Sequence, residues 1–301
     1  MKPLIDADVL RMEIGSVGQT VDEDGEIVMR SWDFVQELLD AKIHEICELV
    51  WADEPPTLFL TSDSRTHKIL HRKTDAEFIP NFRYEVADVK PYKGTRKSDK
   101  PLHYDNLTAY MLNCYDCVVA EGLEADDLLA IHQTNYRTGR WTGDDGRPVE
   151  SVICSRDKDL RMVEGYHYSW TCGKQEAFGP ECVDAKGYLQ PTYDDGGEKP
   201  KLTKVFGVGS SFFCYQLLVG DTVDNIPGIP RVGPVKALKI LEGCDSTEDM
   251  LKAVRDAYRE HYEGSWPERM LEQGQLLWMC TEMKGGEPVM WKLPEYLFGV
   301  E

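Results

Sequence analysis

Cys117-Val-Val-Ala-Glu-Gly-Leu-Glu-Ala-Asp-Asp-Leu-Leu-Ala-Ile-His132 passes from a short apolar run, through closely spaced acids, into a helical segment. The same order recurs along the chain. Asp6 follows Pro3-Leu4-Ile5, Asp63 follows Leu58-Phe59-Leu60-Thr61, and Asp157 and Asp159 follow Val152-Ile153-Cys154. Strand-like runs at Thr57–Thr61, Cys117–Ala120 and Ser151–Cys154 alternate with helical segments, the pattern of a parallel sheet covered on both faces. The fold class expected is therefore α/β, with a mostly parallel central sheet.

In such a sheet the residues just past the carboxyl ends of the strands line the ligand crevice, so these acids should converge. Two like charges about 4 Å apart cost on the order of 1 kcal/mol in water and several times more near a low-dielectric surface. A divalent metal held through oxygen is the simplest compensation. Each acid also has a plainer reading. Asp126 and Asp127 open a helix, where the macrodipole favours acids without any metal. Glu124, Asp126 and Asp127 together are denser than capping requires, which favours ligation. Asp157 and Asp159, in Ser-Arg-Asp-Lys-Asp, fit a turn as well as a metal site. Asp8 and Glu121 read as outer-shell or solvated acids.

Apolar residues from Trp32 to Val50 recur on one helical face. Asp22–Gly25 and Thr142–Arg147 read as turns, and 192–201 as an exposed loop. Beyond that loop the chain turns helical: Pro234 can open Pro234–Leu241, Gly243 can close it, and Ser246-Thr-Glu-Asp249 is a capping-box pattern for a helix to about Tyr262.

The chain has 301 residues, a hydrophobic fraction of 42% and a formal net charge of −19. No apolar run approaches the roughly 20 residues that cross a membrane, and the start reads directly as strand rather than as a signal peptide, so a cytoplasmic protein is expected. Nine scattered cysteines suit reduced thiols better than a disulfide framework. Cys114-Tyr-Asp-Cys117 lacks a second ligand pair for zinc. Gly207-Val-Gly209 lacks the remainder of a dinucleotide fingerprint.

The negative charge argues against a polyanionic partner, but its distribution qualifies the argument. From Ser64 to Lys100 the bases Arg65, Lys68, Arg72, Lys73, Arg83, Lys90, Lys93, Arg96, Lys97 and Lys100 outnumber the acids. A solvated face is the plain reading of such a stretch. Its place directly after Asp63 favours a grip on phosphate, with Lys68 and Arg72 as candidate contacts. His67 and His71 share a helical face and read as surface or phosphate-facing. Gly228-Ile-Pro-Arg-Val-Gly233-Pro-Val-Lys236 is a tight loop opening a helix, whose first amides can face a phosphate. Behind Gly220-Asp221-Thr-Val-Asp224-Asn-Ile-Pro227 it looks like a helix–hairpin–helix that grips nucleic-acid backbone through Gly228, Gly233 and Lys236.

These residues resemble a family. Leu4-Ile-Asp6, Tyr92-Lys-Gly-Thr-Arg96, Glu121-Gly-Leu-Glu-Ala-Asp-Asp-Leu128, Ser155-Arg-Asp-Lys-Asp-Leu160 and 220–237 occur in the order found in 5′-nucleases: the 5′→3′ exonuclease domain of bacterial DNA polymerase I, phage flap endonucleases and phage 5′→3′ exonucleases. The resemblance spans all but the last forty or so residues. It implies a 5′-nuclease, PIN-like α/β core over 1–205 with a helical arch at about 64–112, a helix–hairpin–helix subdomain over 206–265, and a C-terminal helix and tail over 266–301 packing on the core. It implies metal-site carboxylates at Asp6, Asp63, Glu124, Asp126, Asp127, Asp157, Asp159, Asp221 and Asp224. Lys93 and Arg96 would act on the scissile phosphate, and Tyr92 would stack on a terminal base. Two Mg²⁺ or Mn²⁺ ions are the implied cofactors, with K⁺ a candidate at the hairpin. The implied activity is hydrolysis of DNA at duplex ends, nicks or 5′ flaps, with RNA–DNA hybrid a further candidate. A monomer is expected, and the stand-alone length resembles a phage replication enzyme in the host cytoplasm. The chain departs from the family where Ala7-Asp8 follows Asp6 in place of the usual glycine, and 165–206, for which the motifs supply no role, is expected to be a local hairpin. A non-catalytic DNA-binding protein of this fold, or a metal-dependent phosphatase for small substrates, are the alternatives.

Overall fold

The computed structural model describes residues 1–95, 99–143, 145–194 and 200–299. They divide into two compact units: the described residues of Met1–Asn81, Ser98–Leu160 and Gly165–Cys182 form the first, and those of Phe82–Lys97, Arg161–Glu164 and Val183–Glu301 the second. Residues 183–205, assigned to the nuclease core from sequence, thus fall with the second unit.

The first unit is built on a six-stranded sheet. Across it run Asp116–Ala120, Thr57–Thr61, Lys2–Asp6, Ser151–Cys154, Gly165–Ser169 and Phe178–Val183. The first five pair in parallel, with Asp6 opposite Phe59, Thr61 opposite Ala120 and Ile5 opposite Cys154. The central strands read as unbroken apolar runs because both their faces are buried. Leu58, Leu60, Ile5, Val152 and Cys154 pack with Leu10 and Ile14 of helix Ala7–Val17, Val35, Leu39, Ile43 and Ile46 of helix Trp32–Leu49, and Leu107 and Met111 of helix Tyr104–Cys114. On the opposite face Phe59 meets His132 of helix Ala125–Arg137, ring centroids 4.7 Å apart. Truncating any of the fully buried leucines here to alanine would cost about 2–5 kcal/mol.

Two central strand ends pass the chain into a helix through a capping side chain. Asp6 accepts from Val9 N at 3.1 Å to open Ala7–Val17, and Asp63 accepts from Arg65 N and Thr66 N at 3.0 and 2.8 Å to open Ser64–Leu70. Such a cap contributes about 1 kcal/mol. It also fixes the carboxylates at one edge of the sheet.

The hairpin expected across 165–206 is only part of the arrangement: Gly165–Ser169 lies beside Phe178–Val183, the next strand in sequence. Gly165–Ser169 extends the central sheet, pairing in parallel with Ser151–Cys154, while Leu189–Asp194 and Lys201–Gly207 do form an antiparallel pair. Alternating aromatic and polar residues at 165–170 fit a central strand equally well, and parallel pairing with a distant segment leaves no local signal.

The second unit carries helices Gly209–Val219, Pro234–Leu241, Thr247–Tyr262 and Trp266–Leu277. The Pro234 start and Ser246 cap are as expected, with Ser246 accepting from Asp249 N at 3.1 Å. Buried Arg83 donates to Leu276 O and Trp278 O at 3.1 and 2.8 Å, and Glu272 accepts from Asp88 N and Val89 N, each at 2.8 Å. Helix Trp266–Leu277 thereby anchors the segment leading to Tyr92. Among the described residues no helix is long and apolar enough to cross a membrane.

Candidate functional site

Four adjacent strands end in parallel at the same edge of the first unit's sheet, and Asp6, Asp63, Glu124, Asp126, Asp157 and Asp159 all follow those ends. This is the crevice position of an open α/β sheet. Asp6, 1% exposed, lies at its centre. It accepts from Ser155 Oγ at 2.6 Å, and Ser155 Oγ in turn accepts from Asp157 N at 2.9 Å. Burial foremost, with the neighbouring charge of Asp8 and a smaller one from Asp157, pushes the Asp6 carboxyl up to about 7 against the Ser155 and Val9 hydrogen bonds. A cation beside a carboxyl so placed would favour its charged form. The surrounding donors are oxygens, the set preferred by hard divalent ions, so the residues fit the ions the sequence implied.

Asp157 Oδ1 accepts from Asp159 N at 2.9 Å, the bond of a turn. Asp127 is fully buried and accepts from Glu124 N at 3.2 Å, closing the first turn of helix Ala125–Arg137. That bond makes Asp127 a brace for the acidic turn. Thr61 Oγ1 accepts from Ala125 N at 2.9 Å and ties the same turn to the neighbouring strand. Asp8, read as an outer or solvated acid, is bonded within the fold. It pairs with Arg11 at 2.6 Å and accepts from Thr61 N at 3.1 Å.

The sequence reading missed Arg11, Tyr104 and Lys100. Arg11, 2% exposed, donates to Thr66 Oγ1 at 2.7 Å and approaches Asp63 Oδ2 at 4.0 Å. Tyr104 donates its hydroxyl to Asp63 at 2.5 Å, its phenol pushed up to about 12 by burial. The Lys100 ammonium is ion-paired with Asp63 and stands 4.1 Å from the Tyr104 ring centroid. Burial and then Arg11 hold that ammonium down to about 8. An isolated arginine on a short helix carries no sequence signal for a buried role. A lysine among ten local bases carries none for contact with one acid.

Of His67 and His71, read as surface or phosphate-facing, the first is buried and the second only partly exposed. His67 is 9% exposed, and both rings turn toward Glu121. Lys68 and Arg72 are exposed, as a phosphate-contacting role requires.

In the second unit Asp221 organises its own loop, accepting from Val223 N at 2.7 Å and exchanging backbone bonds with Ile226. Asp224 accepts from Tyr92 Oη at 3.1 Å, lies 4.0 Å from Lys93 Nζ, and through its carbonyl accepts from Lys93 N at 2.9 Å. The Tyr92-Lys93 turn and the Asp221–Asp224 loop are therefore one assembly. Tyr92 is 4% exposed, packed edge-on to Tyr84, so the ring is not presented for base stacking. Arg96 lies outside the described residues.

The two hairpin glycines do different work. Gly228, at φ +62°, is buried; its N–H donates to Gln273 Oε1 at 3.0 Å, and a Cβ there would come within 2.4 Å of Gly220 N. That removes it as a backbone contact for DNA and makes it a packing glycine. Gly233 is exposed at the start of helix Pro234–Leu241, and a Cβ there would meet nothing within 4 Å. Lys236, on the same first turn, is exposed.

Comparison with known proteins gives a consistent family of relatives. The chain is 41% identical over 140 residues to a 5′-3′ exonuclease of Aquifex aeolicus, covering 46% of this chain and 39% of that protein. It is 30% identical over 141 residues to DNA polymerase I of Rhizobium leguminosarum, covering 46% of this chain and 11% of the polymerase. Flap endonuclease Xni of Aliivibrio fischeri is 24% identical over 238 residues, 77% of this chain and 78% of that one. The chain thus spans well under half the length of the first two. No protein-family model matches it. Among solved structures, T5 D15 protein co-crystallized with metal ions superposes with a TM-score of 0.51 at 13% identity, covering 91% of this chain and 89% of that one. The fold is shared with that protein, and the sequence is similar to 5′-nucleases.

Proposed function

We propose that the protein is a metal-dependent nuclease that hydrolyses phosphodiester bonds at 5′ ends or flaps of DNA. The observation that carries the reading is the buried Asp6 carboxyl, raised to about 7 by burial and by Asp8 and Asp157, where four parallel strands deliver their acids to one edge. Asp6, Asp63, Glu124, Asp126, Asp157 and Asp159 would hold divalent ions, Mg²⁺ or Mn²⁺. Such ions, when bound, supply positive charge that activates water and neutralises the leaving oxygen. The assignment of Asp221 and Asp224 as ligands rests on their sequence motif.

The chain's own groups set the stage for an in-line hydrolysis: a water oxygen bonds to phosphorus, the phosphorus–oxygen bond to the leaving nucleotide breaks, and the water's proton ends on the departing oxygen. Ser155 orients Asp6, and Asp127 holds the acidic turn in place. Arg11, Tyr104 and Lys100 fix Asp63. Lys93 and Arg96 would add charge where the transition state gains it. Exposed Gly233 and Lys236 would grip backbone phosphate without reading sequence.

The test is cleavage of 5′-labelled duplex and flap DNA with Mg²⁺ and with chelator. Mg²⁺-dependent release of labelled product is expected. Binding without cleavage would instead make the chain a DNA-binding protein, and hydrolysis confined to small phosphate esters would make it a phosphatase.

A further inference from the structure

His67, His71 and Glu121 offer three ligand atoms that all lie within 4.8 Å of one another, apart from the strand-end acids. His71 Nε2 is 2.8 Å and His67 Nδ1 3.5 Å from the same oxygen, Glu121 Oε1. The rings stand side by side on helix Ser64–Leu70 and its C-cap, centroids 4.5 Å apart, as i, i+4 spacing dictates.

The hydrogen-bond partners of each ring fix the tautomers. His67 Nε2 lies 3.0 Å from Ala76 O, which can only accept, so Nε2 carries the proton and the neutral ring's lone pair is on Nδ1. Nδ1 is buried and has no hydrogen-bond partner among the described residues. His71 Nε2 lies 2.8 Å from Glu121 Oε1, which can only accept, so Nε2 carries the proton and Nδ1, 3.2 Å from Thr74 Oγ1, accepts from that hydroxyl. The buried lone pair of His67 Nδ1 therefore faces Glu121 Oε1 at 3.5 Å with no donor between them, a place that a cation would fill, and the same cation would displace the proton of His71 Nε2. His67 Nε2–H already donates to a carbonyl and, with Nε2 on the ion, His71 Nδ1–H would donate to Thr74 Oγ1, the second-nitrogen bonds that metal-ligating histidines make.

We propose that His67 Nδ1, His71 Nε2 and a Glu121 oxygen bind a Zn²⁺ ion, with water in the fourth position. Ligand atoms on tetrahedral zinc, each about 2.0–2.2 Å from the ion, lie roughly 3.3–3.6 Å apart, so His67 Nδ1 at 3.5 Å from Glu121 Oε1 already fits and His71 Nε2 at 2.8 Å would move outward as its proton leaves. Two nitrogens and one oxygen suit zinc, whereas the strand-end acids offer oxygen alone and suit Mg²⁺. Glu121 is half-exposed, which opens the fourth position to solvent. The ion would tie helix Ser64–Leu70 to the turn that leads into Glu124, and His67 would carry the tie onward to Ala76. The role is structural and does not depend on the nuclease reading.

The experiment titrates Zn²⁺ into the full chain, stripped by chelator and then held in excess Mg²⁺ to occupy oxygen sites, and measures the zinc-bound form by X-ray absorption. One tightly bound Zn²⁺ per chain is expected, with a nitrogen and oxygen shell showing two imidazoles. His71→Gln and Glu121→Gln, both at half-exposed positions, should each weaken binding at least about 10-fold, the lower end of what even an outer-shell partner contributes. Asp6→Asn should leave zinc affinity unchanged. Sulfur in the shell, equal affinity in wild type and both variants, or no zinc bound in excess Mg²⁺ would overturn the proposal. Loss of zinc only in Asp6→Asn would also overturn it, by assigning the ion to the strand-end acids. Mg²⁺-dependent DNA cleavage is scored separately, so failure of this site leaves the nuclease reading standing.

Discussion

At Asp6 the cost of function is visible in a single side chain. Its carboxyl rises from 3.8 to about 7 with burial as the main cause. A folded-state value above the unfolded one contributes stability that is complete below the unfolded value and is lost as pH rises through the folded one. With chelator present, the protein should therefore lose stability between about pH 4 and pH 7, by as much as a few kcal/mol. Asp6→Asn should remove most of that loss and raise the thermal midpoint at pH 8, while Mg²⁺ should stabilise the wild type more than the variant. Thermal melts at several pH values with and without Mg²⁺ check this; a variant melting below wild type at pH 8 in chelator would contradict it. Lys93 offers a second test. If it adds charge at the phosphate, Lys93→Ala should lower the single-turnover rate by about 100-fold with little change in binding. A rate that recovers at saturating enzyme would reduce Lys93 to an affinity role.

Among the elements, the loop joining helices Gly209–Val219 and Pro234–Leu241 separates two glycines that look alike in sequence. Gly228→Ala would force a Cβ against the backbone of Gly220 at positive φ and should cost about 1–3 kcal/mol of stability. Gly233→Val points into open space, so it should leave the melting temperature near wild type while weakening duplex binding regardless of sequence. Unchanged DNA affinity in Gly233→Val would remove the hairpin from the binding surface. The contrast also shows what a sequence carries. Periodicity and caps placed Pro234–Leu241, Thr247–Tyr262 and the strands Thr57–Thr61 and Ser151–Cys154 where they occur, because those signals are local. Gly165–Ser169 lies beside Phe178–Val183, as a local hairpin would place it, but its parallel pairing with distant Ser151–Cys154 carries no local signal. The positions of the acids were legible, since each lies just after an apolar run. Their supports were not: Arg11, Tyr104 and Lys100 reach Asp63 only through tertiary packing, and Tyr92 is turned inward onto Asp224.

For the whole molecule, a net charge of −19 and a proposed DNA partner must be reconciled. The locally basic 64–100 segment would carry the phosphate contacts, so affinity should fall steeply with salt. Lys68→Ala and Arg72→Ala should each reduce the slope of log affinity against log salt by about one without changing the rate at saturating enzyme. Fluorescence anisotropy across a salt series measures the slope; unchanged slopes in both would place the contacts elsewhere. The central claim, that acids gathered at the strand ends hold the ions for DNA hydrolysis, is tested most directly by single-turnover cleavage of a 5′-labelled flap substrate by Asp126→Ala and Asp157→Ala at saturating Mg²⁺, with DNA binding measured in parallel. The account predicts that cleavage is abolished in both variants while binding persists or tightens as negative charge is removed. Turnover at the wild-type rate in either variant would contradict it.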